Sequence, residues 1–468
     1  MDLDLQTASA TDLAAAIRRG DVSPTEVLDA TLDAIDQRDP ALNAIIWLDP
    51  DDARARARRA EERLATGGDD LPPFLGVPIP VKDLSTVAGW PATYGSTGAG
   101  DEPATSTGIA VQRLEDAGFI LCGRSNSPEF GTVTATENDR YGITRNPWNT
   151  ERTSGGSSGG ASAAVAGGMF TIAHASDGGG SIRIPASCTG LVGLKCSRGR
   201  VPGEVVEWEG AAVQGVVTRT VADTAAVLDV LSVPDPLAWW NAPRPERPYA
   251  DAVRDEPSRL RVAVATTSPL GLPVDPACVE AVERTVAALE GAGHEVVDHR
   301  FDPHAEEFIA GFVHVVNAGL AEYDVDWARV QPNNQANRRY AQAVDSLRYV
   351  AAVQALQRWT RRVNAQWGRD FDLLVTPTMP ILPPPAGQIL QEITEHPDQT
   401  SETVLATVSF TSMFNMNGLP AITVPTGFDE SSNLPVGVQL VAGPWRDDLA
   451  LQVAAQLEQV LPWADRRP

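Results

Sequence analysis

Apolar positions recur at helical spacing near both ends of the chain, and the stretches between them carry short, continuous apolar runs of strand length. From residue 7 to about residue 65 the pattern predicts helices. Ser9 or Thr11 is placed to cap the run that starts at Asp12, and Ser23-Pro-Thr-Glu26 starts a second helix with proline at its first position, where a missing N–H is tolerated. Val27, Leu28, Leu32 and Ile35 give that helix one apolar face. The alternating charges of 51–64 predict a solvated helix, which the glycines of 66–70 end. Lys82 then closes a short apolar run bounded by Pro78 and Pro80, the pattern of a buried strand end. A helix at 110–117 and a strand at 119–122 follow, giving strand and helix in alternation.

Further along, the small residues of 161–166 predict a tightly packed helix, 169–175 a buried strand, and 182–192 the start of another helix. A helical segment with one apolar face spans 217–231. Strand 260–265, helix 276–289 and strand 295–298 form a second alternating unit; helical material fills 305–367, a strand occupies 371–377, and a helix at 450–458 ends the pattern. The expected architecture is one α/β domain over 1–468, a mixed, largely parallel β-sheet covered on both faces by helices. Within it, 1–65 form N-terminal helices, 70–200 a catalytic core, about 200–360 a variable substrate-shaping region, and 370–468 the C-terminal part of the sheet.

Charge narrows the function. The balance of 37 basic against 61 acidic residues leaves −24, which argues against nucleic acid, whose phosphates call for basic faces, and against anionic membrane surfaces. No apolar run reaches the ~18 residues of a membrane span, and Met-Asp-Leu-Asp-Leu5 has no basic, apolar leader pattern. Cys122, Cys188, Cys196 and Cys278 include no C-x-x-C pair, and they are expected as buried free thiols in a reducing, cytoplasmic setting.

Chemistry concentrates between residues 145 and 200. Ser154-Gly-Gly-Ser-Ser-Gly-Gly160 and Ser176-Asp-Gly-Gly-Gly-Ser181 each place a serine, Ser157 and Ser181, in a run of glycines. Gly178, Gly179 and Gly180 free the backbone to converge N–H donors on one point, a cradle for a developing oxyanion with Ser181 beside it as nucleophile. A serine needs a base. The six histidines, His174, His294, His299, His304, His314 and His396, lie in no acid/His motif, and His174 reads as a satisfied histidine of a buried strand. Lys82 is the better base, since desolvation at a buried strand end lowers a lysine's pKa and Ser-Lys variants of the triad exist.

The segments around Lys82, Ser157 and Ser181, with Asn126-Ser-Pro-Glu-Phe-Gly131, Arg145-Asn-Pro-Trp148, Phe414-Asn-Met-Asn-Gly418 and Pro435-Val-Gly-Val-Gln439, resemble the amidase signature family of serine hydrolases, in particular the 6-aminohexanoate cyclic dimer hydrolase type. The resemblance implies the amidase signature fold and a linear-amide hydrolase working through an acyl-enzyme. It makes Ser181 the nucleophile, Ser157 a bridging serine in a cis peptide, Lys82 the base, the backbone of Gly178, Gly179, Gly180 and Ser181 the oxyanion hole, and Gly131 a lining of the acyl pocket. Esters and carbamates present the same carbonyl. The chain departs from the family pattern at Gly178, where a side chain is usual, and at Lys195-Cys-Ser197; an extra glycine there would loosen the loop or make room for a bulkier acyl group.

Other residues have quieter readings. Asp83 is a turn former or a counter-charge to Lys82; Ser158 supports its loop; Asp177 and Arg183 form a structural ion pair. Trp239 and Trp240, in the proline-rich 234–257, either cap a pocket or belong to a surface excursion, and with Trp90, Trp208, Phe410 and Phe414 they supply aromatics for a pocket. A phosphate loop is disfavoured because no lysine lies between Lys82 and Lys195. The G-x-S-x-G pattern of 155–159 follows polar residues where an apolar strand is required. No metal or cofactor is implied, and the expected partner is a small amide, ester or carbamate met by a monomer or homodimer. Two alternatives stay open: a glutamine-dependent amidotransferase subunit and a non-catalytic binding protein of the same fold.

Overall fold

The computed structural model describes residues 7–68 and 70–468. Its strands, in chain order, are β1 (Ile45–Trp47), β2 (Pro78–Lys82), β3 (Ile120–Ser125), β4 (Glu137–Asn138), β5 (Gly142–Ile143), β6 (Ile172–Asp177), β7 (Val192–Lys195), β8 (Val213–Thr218), β9 (Arg261–Val264), β10 (Glu295–Val296), β11 (Leu373–Pro377), β12 (Ala421–Asp429) and β13 (Leu434–Ala442). Eight of them make the main sheet in the order β10-β9-β11-β13-β12-β7-β8-β6, while β1-β3-β2 form a smaller sheet and β4-β5 a hairpin.

The mixed α/β sheet agrees with the sequence, but its balance does not. Only the β10–β9 and β9–β11 junctions are parallel, and the other five are antiparallel. Antiparallel neighbours need no crossover helix, so β12 and β13 follow each other through a short turn. Helices cover both faces, so strands such as β11 and β13 are buried along their whole length and read as continuous apolar runs, a pattern more often met in parallel sheets. Along β12, Ile422 and Val424 enter one apolar cluster and Ala421 another on the opposite face, the two-residue period of a strand. Each large side chain so buried contributes roughly 1.5–3 kcal/mol.

At the N-terminus, Ser9 caps Ala10–Arg19 by accepting the Asp12 N–H at 3.0 Å, and Ser23 with Glu26 closes a capping box on Pro24–Leu42. The predicted helical stretch is interrupted there: Asn43, at φ 54°, ends the second helix, and Ile45 to Trp47 pair with β3, as suits bulky and β-branched residues. Helix Pro50–Thr66 buries only Ala53, Ala57 and Ala60, so its charged face is solvated. The helix expected from 217 begins at Val221, capped by Thr220, because the preceding Val213-Gln-Gly-Val-Val-Thr218 extends as β8. The 305–367 stretch is three helices, Ala305–Ala318, Pro332–Gln342 and Ser346–Asn364, and its 319–331 connection carries only short 3-10 turns.

All eight residues of helix Gly159–Ala166 are buried. A Cβ on Gly160 would stand 2.4 Å from the Asn126 backbone nitrogen, so only glycine lets this helix approach the segment after β3. That contact seats the 154–158 loop beside the ends of β2 and β6.

Candidate active site

β2 ends on Lys82, which is wholly buried. Its Nζ lies 2.7 Å from Ser157 Oγ and 3.0 Å from Ser176 Oγ. Burial lowers the amine's pKa to about 7, against the opposing pull of Asp177 and Glu207. Asp83 is not its counter-ion: the Asp83 carboxylate accepts the N–H groups of Thr93 and Gly95 and pairs with Arg124, which makes it an organiser of the 93–95 turn.

The neighbouring β6 supplies the opposite wall. His174 Nδ1 accepts the Lys82 backbone N–H at 3.4 Å while Nε2 faces Gln214 Oε1 at 3.1 Å, so the ring proton sits on Nε2. Burial drives the His174 pKa down to about 3, and the ring is neutral and structural. Two residues on, on the same face of the strand, comes Ser176, a partner of Lys82 that the sequence reading gave no role. Strand alternation from His174 was the signal that could have found it.

Ser157 follows a cis peptide bond from Gly156 and is 2 % exposed, and Ser181 is 8 % exposed. The Ser158 N–H donates to the Ser181 carbonyl at 3.2 Å, tying the two serine loops together, and Ser158 Oγ donates to the Ser176 carbonyl at 3.1 Å. Gly131 packs against Ser157: at φ 70°, a Cβ there would lie 2.7 Å from Leu84 and 3.3 Å from Ser157 Oγ.

Asp177 pins the glycine turn. It accepts the backbone N–H groups of Gly180 at 2.7 Å and Ile182 at 3.2 Å and holds Arg183 through two 2.9 Å contacts. Burial pushes its carboxyl up, but Arg183 and Asn415 more than offset this and hold it well below the usual carboxylate range. Arg183 is fixed further by Gln439 and the Thr411 carbonyl, both from the C-terminal segments. The Gly180 N–H is therefore engaged, which differs from the expectation that all three glycine donors face an oxyanion. Among the described residues, the N–H groups of Gly178, Gly179 and Ser181 have no hydrogen-bond partner.

Gly178 does not loosen this turn or leave room beside it. A Cβ there would stand 2.6 Å from the Trp208 ring, so the indole fills the space that the missing side chain leaves.

A cleft of about 710 Å³ opens over Ser157, Ser176, Gly178 and Ser181. Trp208, Trp239 and Trp240 line it with Tyr94, Phe130 and Tyr323, whereas Trp90, Phe410 and Phe414 are core side chains. Trp239 and Trp240 thus belong to the cleft mouth, and Trp239 is 86 % exposed. Glu204, Glu207 and Glu322 also face the cleft, and nothing in the local sequence singled them out. The four cysteines are buried and unpaired. Among the described residues, no helix is long and apolar enough to cross a membrane, and no group of three or more His, Cys, Asp and Glu side chains could hold a metal ion.

A buried amine of lowered pKa, a hydroxyl in contact with it and a second hydroxyl beside free backbone donors are groups with which serine-nucleophile chemistry with a lysine base could be carried out. Residues 26–451 match the Amidase family. The chain is 38% identical to a 6-aminohexanoate-cyclic-dimer hydrolase of Pseudomonas sp. (strain NK87), over 98% of this chain and 96% of that one. It is 35% identical to an acylamidase of Rhodococcus erythropolis, over 99% and 98%. A solved structure of 6-aminohexanoate cyclic dimer hydrolase complexed with substrate superposes with a TM-score of 0.92 at 35% identity, covering 100% of this chain and 99% of that one. The chain belongs to the amidase family and is an amidohydrolase acting on carbon–nitrogen bonds.

Proposed function

We propose that this amidohydrolase cleaves linear, non-peptide amides through an acyl-enzyme on Ser181, with Ser157 as proton relay and Lys82 as base. Ser181 Oγ attacks the carbonyl carbon; its proton passes to Ser157, whose own proton moves to the neutral Lys82 amine. The N–H groups of Gly178, Gly179 and Ser181 hold the tetrahedral oxyanion, each such donor being worth roughly 10²–10³ in rate. As the tetrahedral species collapses, the proton returns through Ser157 to the leaving amine. Water then attacks the acyl-enzyme along the same relay and releases the acid. Ester and carbamate carbonyls enter the same cycle, because the chemistry requires only an electrophilic carbonyl and a leaving group that accepts the relayed proton.

The observation that carries this reading is the 2.7 Å contact between Lys82 Nζ and Ser157 Oγ at a fully buried amine. Asp177, with its hold on Arg183 and Gly180, acts through the turn it shapes. The test is a panel of anilides, esters and carbamates assayed with the isolated chain and with Ser181→Ala and Lys82→Ala. Each substitution should lower kcat/KM by roughly 10³-fold or more. Hydrolysis near the wild-type rate in either variant overturns the mechanism. Activity of the isolated chain on simple anilides separates it from an amidotransferase subunit, and labelling by a serine-directed phosphonate separates it from a binding protein.

A further inference from the structure

Among the described residues, the charged side chains that line the cleft are Glu204, Glu207 and Glu322, with no lysine, arginine or histidine. They are not equivalent. Glu204 Oε1 accepts the backbone N–H of Ile109 at 2.6 Å, at the start of the helix Ile109–Asp116, and so is already served. The carboxylate of Glu207, half-buried in the wall, makes no hydrogen bond and no ion pair with any described residue. Glu322, at the exposed outer lip in the 319–331 connection, makes none either.

The two carboxylates belong to distant parts of the chain, and the fold places both on the same cleft. Although Glu322 as a whole residue is exposed, its place on the cleft wall strips water from the carboxyl, and this together with the charge on Glu207 raises its pKa to about 7. Burial also raises the Glu207 carboxyl, helped by Glu204 and opposed by Lys82. Lys82 cannot serve as their lasting counter-ion, because its amine titrates near 7 and contacts Ser157. Arg198, a half-buried cation of this region, donates to the carbonyls of Gly210 and Met416 instead. Two carboxylates without donors, on the wall of a substrate cleft, favour a ligand that brings N–H donors and positive charge.

We infer that the cleft selects amides carrying a protonated primary amine at a distance from the scissile carbonyl, with that ammonium held between Glu207 and Glu322, and that it disfavours substrates ending in a carboxylate. The inference rests on the amide-hydrolase reading of the cleft and names the substrate class for it. An alkylammonium group has three donors to divide between two carboxylates, and its charge relieves the repulsion between them. The protein's net charge of −24 adds a field that draws cations toward the cleft and repels anions. The aromatic side of the cleft, with Trp208 and Tyr323, suits the apolar spacer between the amide and the ammonium.

The test reads binding apart from turnover. Ser181→Ala protein is titrated calorimetrically with two sets of isosteric anilides and alkylamides whose far end is ammonium, methyl or carboxylate, the charged end lying on the acyl side in one set and on the amine side in the other. In at least one set the ammonium compound should bind roughly tenfold or more tighter than the methyl compound, with the carboxylate weakest. Adding Glu207→Gln and Glu322→Gln should shrink the ammonium-to-carboxylate ratio to within about threefold, a ratio that does not depend on overall activity. Equal affinities in both sets, a carboxylate preference, or an ammonium preference that survives the double substitution overturns the inference. Failure of the catalytic reading would appear elsewhere, as hydrolysis that persists without Ser181.

Discussion

Lys82 Nζ touches Ser157 Oγ at 2.7 Å, and among the described residues no carboxylate lies within 4 Å of that amine. An ion pair would hold the lysine protonated. Its neighbours are hydroxyls and a carbonyl instead, so burial decides its charge. With its pKa lowered from 10.5 to about 7, the uncharged amine needed by a base is populated at neutral pH.

The first consequence is a pH–rate profile with an acid limb. In the proposed mechanism the neutral amine is the active form, so kcat/KM should climb as pH rises through about 7 and then level off. An acid limb centred near 4 instead would point to a carboxylate base.

Keeping that amine buried has a stability cost. In the unfolded chain the lysine titrates near 10.5, in the folded protein near 7, so between those values the unfolded state binds more protons and stability rises with pH. Lys82→Met should abolish activity while raising Tm at pH 7 by a few degrees, roughly 1–3 kcal/mol. The gain should fade as pH approaches 10. Thermal scans of both proteins at pH 7 and pH 10 check the direction.

Asp177→Asn removes the charge that faces the buried Arg183 guanidinium and weakens the acceptor of the Gly180 N–H. Leaving a buried charge unpaired costs about 3–5 kcal/mol, and the variant should lose stability on that scale together with most of its kcat. The depressed Asp177 carboxyl contributes stability fully present above its unfolded pKa near 4 and lost as pH falls toward its folded value. The stability gap between wild type and variant should therefore narrow with acidification, which denaturant titrations at pH 7 and pH 3 would register.

At Gly178 the neighbour is an indole. Gly178→Thr drives a Cβ to within 2.6 Å of Trp208, and one of the two must move. The substitution should lower kcat/KM by tenfold or more, and Trp208→Ala added to it should restore part of the loss. Coupled neighbours of this kind show interaction energies of about 0.5–3 kcal/mol in a double-mutant cycle. Strict additivity would mean that the ring does not fill the gap.

Which parts of this were legible beforehand follows from where each interaction lies along the chain. Local signals worked: Ser23-Pro-Thr-Glu26 is a complete capping box, and the consecutive glycines of 178–180 before Ser181 form a tight turn. The burial of Lys82 could be read from its own apolar run. What failed was non-local. The β12–β13 hairpin and the antiparallel β7 and β8 look like any other buried runs until their partners are known, and the Ile45–Trp47 strand exists because β3 lies beside it. Asp177 takes the Gly180 N–H only because Arg183, Asn415 and Gln439, two of them more than 200 positions away, fix its orientation. Glu207 and Glu322 share a wall through tertiary structure alone, and the Trp208 ring over Gly178 was unreadable for the same reason.

Lys82 and Lys195 are the only lysines in the sequence, which makes the decisive measurement unusually clean. Lysine labelled at the side-chain ε position gives two NMR signals in the wild type and a single one, from Lys82, in a Lys195→Arg background. The pH titration of that signal should have its midpoint near 7. A Lys82 amine that stays protonated up to pH 10 would contradict the account, because Ser157 would then have no base to receive its proton.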